Sequence, residues 1–236
     1  LMKAIILAGG LGSRLSNITK NIPKPMVCIN GKPFLEILLD HLNDSGFRRV
    51  VLSVGYLSEI IINHFGNNYK NIEIKYAVEE TMLGTGGAIN FAFKFCISKH
   101  VFILNGDTFM DLDYKKILSL ANDKSAFIPV IVSRYVNDVS RYGYLKVEDD
   151  MLKEYKEKIK NGEGLINAGC YLLPKNINLT NKRKQSFSFE SDSIPNIINN
   201  ESFMIYEHEG IFIDIGIPED LRRAQTVLEN LTSLSR

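Results

Sequence analysis

Leu7-Ala8-Gly9-Gly10-Leu11-Gly12-Ser13-Arg14-Leu15 closes the β-branched run Lys3–Ala8, and the reading of the whole chain turns on this junction. A strand that stops abruptly at glycines and then presents an arginine suits phosphate binding. Without side chains in the way, the backbone N–H groups over Leu7, Ala8, Gly9, Gly10 and Gly12 can form a concave nest for phosphate oxygens. Arg14 adds a planar cationic fork for a triphosphate. The bland alternative is a tight glycine turn with no ligand. Two familiar phosphate loops are excluded: G-x-G-x-x-G would need glycine at Leu15, and the Walker A loop would need Gly-Lys-Ser/Thr.

Further on, Pro23-Lys24-Pro25-Met26 sets one lysine between two prolines. The prolines are expected to hold the backbone extended and so to fix where the ammonium points, which suits a cation meant for one phosphate oxygen. Alone, the segment would read as a solvated lysine in a proline-rich turn. Behind a phosphate loop it reads as a second phosphate ligand.

Outward from this loop, short apolar runs alternate with helical spacing. Strands are expected at Arg49–Val54, Ile72–Val78 and His100–Leu104, and helices over Pro33–Ser45, Leu57–Phe65 and about Thr85–Cys96. This is the βαβ pattern of a mainly parallel sheet. The second half carries strand-like runs at Ala126–Val132, Tyr144–Val147, Leu152–Tyr155 and Leu165–Leu173 without clear helices between them, which predicts hairpins and mixed pairing. Pro218, with Glu219 and Asp220 behind it, marks a helix start. Residues 160–200 are the most polar stretch and predict a mobile loop around Asn181–Ser186. The expected fold class is α/β, a Rossmann-like mixed, mainly parallel sheet flanked by helices.

Asp107 ends the apolar strand at His100–Leu104, where open α/β sheets place their ligands. Asp214 likewise follows the apolar pair Phe212-Ile213. Two carboxylates at strand ends can hold one Mg²⁺, which takes one or two carboxylates together with phosphates and water. Asp111 and Asp113 form a D-x-D, but Asp113 reads as the cap of a helix around Tyr114–Ala121.

The chain has 236 residues, with 28 Lys and Arg against 27 Asp and Glu, a net charge of +1. That balance offers no electrostatic footprint for nucleic acid or an anionic membrane, so phosphate binding has to be local. No apolar run reaches the ~18 residues of a membrane span, and no signal peptide is visible. The three cysteines, Cys28, Cys96 and Cys170, lack CxxC spacing and sit among apolar residues. They read as reduced core thiols of a cytoplasmic protein.

Gly-Gly-x-Gly-x-Arg after the first strand, followed by Pro-Lys-Pro, resembles the sugar-1-phosphate nucleotidyltransferase family. Further matches lie in family order along almost the whole chain. Leu83-Gly84-Thr85-Gly86-Gly87-Ala88 resembles the base-contacting loop, with Met82 where proline is common. Asn105-Gly106-Asp107 resembles the metal-binding strand end, Glu157-Lys158 the Glu-Lys pair, Asn167-Ala168-Gly169 the sugar-contacting strand, and Asp214-Ile215-Gly216-Ile217-Pro218 the second metal aspartate.

The resemblance implies transfer of a nucleotide from a triphosphate to a sugar 1-phosphate with release of pyrophosphate. Arg14, Lys24 and Asp107 would be catalytic, and Asp107 and Asp214 would hold Mg²⁺. Leu7, Ala8, Gly9, Gly10, Gly12, Arg14, Gly84 and Thr85 would bind the nucleotide. Gly143, Glu157, Lys158 and Asn167 would hold the sugar phosphate. It also implies a single domain over residues 1–236, with the nucleotide part to about residue 110 and the sugar part from 111. The short tail after Pro218 is expected to leave no C-terminal β-helix, and a homo-oligomer remains open. Within the family, Asn105–Phe109, Ser188-Phe189-Glu190 with Asp192, and Phe212–Asp220 are most similar to enzymes that guanylylate a heptose 1-phosphate. GTP is then the expected donor, with Glu80 as the carboxylate that accepts from guanine and Glu190 as a partner for the extra heptose hydroxyl. Mannose 1-phosphate, another sugar 1-phosphate, phosphocholine or a different triphosphate remain alternatives, as does a catalytically dead sugar-nucleotide-binding module.

Overall fold

The computed structural model describes residues 2–10, 21–123, 126–157, 159–179 and 185–234, with 230–234 as backbone only. After β1 (Lys3–Leu7) come a one-turn 3-10 helix at Lys24–Met26, the ribbon of β2 (Cys28–Ile29) and β3 (Lys32–Pro33), and α1 (Phe34–Asp44). Then follow β4 (Arg49–Val54), α2 (Ser58–Phe65), β5 (Asn68–Tyr69), β6 (Ile72–Val78), α3 (Gly84–Ala92) and β7 (His100–Asn105). The second half runs through β8 (Thr108–Met110), α4 (Tyr114–Asn122), β9 (Val130–Val136), β10 (Tyr144–Glu148), β11 (Met151–Lys156) and β12 (Gly164–Pro174). A π-helical turn at Phe189–Ser193 leads into α5 (Ile194–Ile197), β13 (Met204–Glu207), β14 (Phe212–Asp214) and α6 (Pro218–Leu234).

Ten strands form one sheet in the order β10-β11-β13-β9-β12-β7-β1-β4-β6-β5. Its centre, β7-β1-β4-β6, is parallel throughout. β1, β4 and β7 are covered on both faces, which is why they read as nearly unbroken apolar runs, while β6 alternates, with Glu73 half-buried and Lys75 exposed. Within β1, Ala4 and Ile6 pack on the face covered by α1, while Ile5 packs on the opposite face with Ile89 and Ala92 of α3. α1 starts after Pro33, whose missing N–H costs nothing there, and buries Phe34, Leu35, Leu38, Leu39 and Leu42 along one stripe. Asp113 caps α4 by accepting from the Lys116 N–H at 3.0 Å.

Hairpin and mixed pairing in the second half follow the expectation. β10 and β11 are antiparallel neighbours, β12 runs antiparallel to both β7 and β9, and β13 is parallel to β9. Three readings are corrected. β9 begins at Val130 rather than Ala126, because the preceding residues return from α4, with the Ile128 N–H bonded to Ala121 O at 3.1 Å. β8 and β13 are too short to show a periodicity and are not predicted as strands, whereas the apolar pair Phe212-Ile213 before Asp214 does form a strand, β14. Cys28 is exposed instead of core, since alternation in the two-residue β2 turns Ile29 inward and Cys28 outward. Cys96 and Cys170 are buried, and burial pushes the Cys96 thiol up to about 11. The predicted loop falls largely on residues 180–184, outside the described residues. Among the described residues no helix is long and apolar enough to cross a membrane.

Candidate active site

Parallel pairing of β1 with β7 sets Leu7 beside Asn105, so the glycine loops after the two strands open side by side. The Gly106 N–H donates to Leu7 O at 2.9 Å, and a Cβ at Gly106 would come within 2.7 Å of that oxygen. A cavity of about 370 Å³ lies beyond these carboxyl ends, where open α/β sheets bind ligands. Leu7, Ala8, Gly9, Gly10, Gly84 and Thr85 all line it, together with Lys24, Asn105 and Asp107. Gly12 and Arg14 lie outside the described residues.

Glu80 does not reach this cavity. It is exposed, and the neighbouring Glu79 lines the wall in its place, because successive residues of an extended chain face opposite ways. Glu79 accepts from the Ser53 hydroxyl at 3.0 Å and from the Leu83 N–H at 3.3 Å. Burial raises its pKa, and those two hydrogen bonds pull it back only in part. Gly9 has a steric reason beyond phosphate approach: its Cβ would sit 2.9 Å from Glu79 Oε1.

Lys24 is placed by a 3-10 turn rather than by an extended segment. Pro23 is extended, but the Met26 N–H donates back to Pro23 O at 2.8 Å, and Pro25 fits the first turn because it needs no donor there. The Lys24 side chain is 12% exposed, and its ammonium pairs with the Asp107 carboxylate. Asp107 and Asp214 meet because β14 pairs with β8, setting Asp214 opposite Thr108, and because the Ile215 N–H bonds Asp107 O at 2.9 Å. Burial raises the Asp214 pKa, and the Asp107 charge raises it further, against the opposing pull of Lys24, the Gly216 N–H and Arg141. Arg141 stands 2.8 Å from Asp220 and 3.8 Å from Asp214. Among the described residues no three His, Cys, Asp or Glu side chains gather into a metal cage. Two facing, repelling carboxylates suit a divalent cation that draws its remaining ligands from phosphate and water.

The residues expected on the sugar side gather around β12. Between Asn167 and Tyr171 its register against β9 shifts, so that residues 168–170 lie opposite Val132 alone. Gly169, at φ +75°, lies at this bulge, and a Cβ there would collide with the Asn105 side chain. The Asn167 N–H donates to Gly143 O at 2.8 Å, which brings those two expected sugar contacts together. Glu157 is exposed beyond the end of β11, and Lys158 lies outside the described residues. Glu190 belongs to the π-helical turn, half-buried, where it accepts from Tyr171 at 3.1 Å, from Ser188 at 2.9 Å and from Thr85. Tyr171 and Glu79 carried no motif. Only the parity of the chain past Val78 could have separated Glu79 from Glu80, and only a burial pattern could have found Tyr171.

A parallel-centred sheet with a glycine-lined cavity, a largely buried lysine and two converging aspartates at its strand ends defines an α/β enzyme that handles phosphate groups. The chain belongs to the nucleotidyl transferase family, which matches residues 3–230. It is 39% identical to a D-glycero-alpha-D-manno-heptose 1-phosphate guanylyltransferase of Aneurinibacillus thermoaerophilus, over 97% of this chain and 99% of that relative. It is 42% identical to the Campylobacter jejuni protein of the same name, over 93% and 96%. HddC from Yersinia pseudotuberculosis has the same fold, with a TM-score of 0.85 at 39% identity, covering 97% of this chain and 100% of that one; it has also been crystallised with GMP-PN.

Proposed function

We propose that this enzyme transfers a guanylyl group from GTP to D-glycero-α-D-manno-heptose 1-phosphate, giving GDP-heptose and pyrophosphate for a bacterial surface polysaccharide. The observation that carries the reading is that Lys24 and Asp107 pair in the wall of the glycine-lined cavity, with Asp214 close enough to feel both charges. Near-full-length identity to the two guanylyltransferases supports the choice of base and sugar.

The sugar phosphate attacks the α-phosphorus in line and pyrophosphate leaves. The attacking group is already anionic, so no general base is needed and the work is positioning and charge neutralisation. Asp107 and Asp214 would hold Mg²⁺, which supplies Lewis-acid polarisation of the phosphates. Lys24 serves the transferred phosphoryl group and Arg14 the triphosphate. Leu7 to Gly10, Gly12, Gly84 and Thr85 surround the nucleotide in the half up to about residue 110. Glu79, replacing Glu80, accepts from the guanine N1–H and exocyclic amine. Gly143, Glu157, Lys158 and Asn167 hold the sugar phosphate.

The test is kcat/KM with GTP and equal Mg²⁺ for heptose 1-phosphate against mannose 1-phosphate. A site that bonds the extra hydroxyl loses more from its absence than a merely roomy one, so a clear preference for the heptose is expected. Preference for mannose 1-phosphate would reassign the acceptor.

A further inference from the structure

The hydrogen bonds that converge on Glu190 run from the nucleotide cavity to the sugar strand. Thr85 lines the cavity at the start of α3. Its hydroxyl donates to Glu190 Oε2, while its oxygen accepts the Phe189 N–H at 2.8 Å. On the other side, the hydroxyl of fully buried Tyr171 donates to Glu190 Oε1 at 3.1 Å and accepts from Asn167 Nδ2 at 2.6 Å. Ser188 supplies a third hydroxyl, also on Oε2.

A carboxylate only accepts, so all three hydroxyls must point their protons at it. That fixes directions further out. The Tyr171 proton is committed to Glu190, which leaves the Tyr171 oxygen to receive the Asn167 amide. Asn167 Oδ1 in turn accepts the Gly169 N–H at 3.0 Å. The other N–H of Asn167 is taken by the Tyr155 hydroxyl, so the second lone pair of Oδ1 remains for a substrate hydroxyl, and its direction is set. Three of the roughly four acceptor positions of a carboxylate are spent in this way, which leaves Glu190 little to offer a sugar directly. The surroundings are rigid as well. The Phe189 ring stands edge-on to Tyr171 at 4.8 Å, and Phe187 bonds to both sides of the α3 start, with its N–H to Leu83 O at 2.9 Å and its O from the Gly86 N–H at 3.0 Å.

We propose that Glu190 is a positioning residue, which orients Thr85 towards the nucleotide and, through Tyr171, orients Asn167 towards the sugar. This rests on the assignment above of Thr85 to the nucleotide side and Asn167 to the sugar side. It replaces direct contact with the heptose as the role of Glu190.

The experiment compares Glu190→Gln and Tyr171→Phe with the parent enzyme. The substrates are whichever triphosphate and sugar 1-phosphate the parent turns over fastest, so an error in the identity of base or sugar does not enter. Melting temperatures are recorded beside the kinetics. Glu190→Gln keeps the shape but lets a donor face the hydroxyls, and should raise KM for both substrates about tenfold, the scale of one misdirected hydrogen bond to a charged group. Tyr171→Phe cuts only the sugar branch. It should raise KM for the sugar phosphate about as much, with KM for the triphosphate within about twofold of the parent. A Glu190→Gln enzyme that melts lower but keeps both KM values would make the residue merely structural and overturn the proposal. So would a Tyr171→Phe enzyme in which both KM values rise together.

Discussion

Lys24 pairs with Asp107, and Asp214 lies between the Asp107 charge and Arg141, 3.8 Å away. Asp107→Ala should lower turnover by at least ~10²-fold, as expected for loss of one group that stabilises developing charge. Near-normal turnover of that variant at saturating Mg²⁺ would remove Asp107 from the metal site. Lys24→Ala should lower kcat with a smaller change in KM if, as proposed, it serves the transferred phosphoryl group. A change confined to KM would take Lys24 out of the transition state. Glu79 makes a pH-dependent prediction. Burial raises its pKa above 4.5, so above that pH the folded chain holds the proton more tightly than the unfolded chain. Stability therefore falls as pH rises through the window between the two values, and stays lower at neutral pH. Glu79→Gln should lose less melting temperature than the parent between pH 4.5 and 7, while its discrimination between GTP and ATP weakens. Parallel melting profiles would show that Glu79 is not held in this way.

Among the elements, the start of α3 depends most on glycine. Gly84 is at φ +69°, and a Cβ there would run into the Phe187 carbonyl, a backbone atom that cannot rotate aside. Gly84→Ala should then cost about 1–3 kcal/mol, measured by denaturant unfolding, as for an overpacked position. Unchanged stability would mean that the Phe187 segment is free to withdraw. How far the site was legible follows from the same contrast. β1, β4, β6, β7, α1 and α2 announce themselves by local periodicity, and the residues at their ends carry motifs that depend on chain-local geometry. Hence Leu7 to Gly10, Lys24, Gly84, Thr85 and Asp107, all marked by such motifs, line one cavity. Glu79, Tyr171 and Arg141 owe their places to contacts between distant segments, which no local spacing encodes. The family pattern marked Glu190, yet its partners came only with the three-dimensional arrangement.

For the whole molecule, one sheet runs through both halves of the chain, since β12 pairs with β7 on one edge and β9 on the other. Nucleotide side and sugar side are accordingly expected to melt in one transition, not two. Each ligand that binds only the folded state should raise that single transition, by about 2.7 kcal/mol at a hundredfold excess over Kd. In Asp107→Ala the Mg²⁺-dependent part of the rise with GTP should be lost. Two resolved calorimetric transitions would divide the chain into separately folding parts.

The bulge in β12 carries a consequence of parity. Three residues of one strand stand opposite a single residue of the other, an excess of two, and two is the full period of side-chain alternation. The strand thus advances by one period along its neighbour without changing phase. Removing one residue from 168–170 would invert the phase of everything before it, throwing Ile166 out of the core and Asn167 into it. Removing two would restore the phase and leave a foldable strand with Asn167 displaced along it. A double deletion should therefore be better tolerated than a single one, with the chain folded but its sugar-phosphate KM ruined.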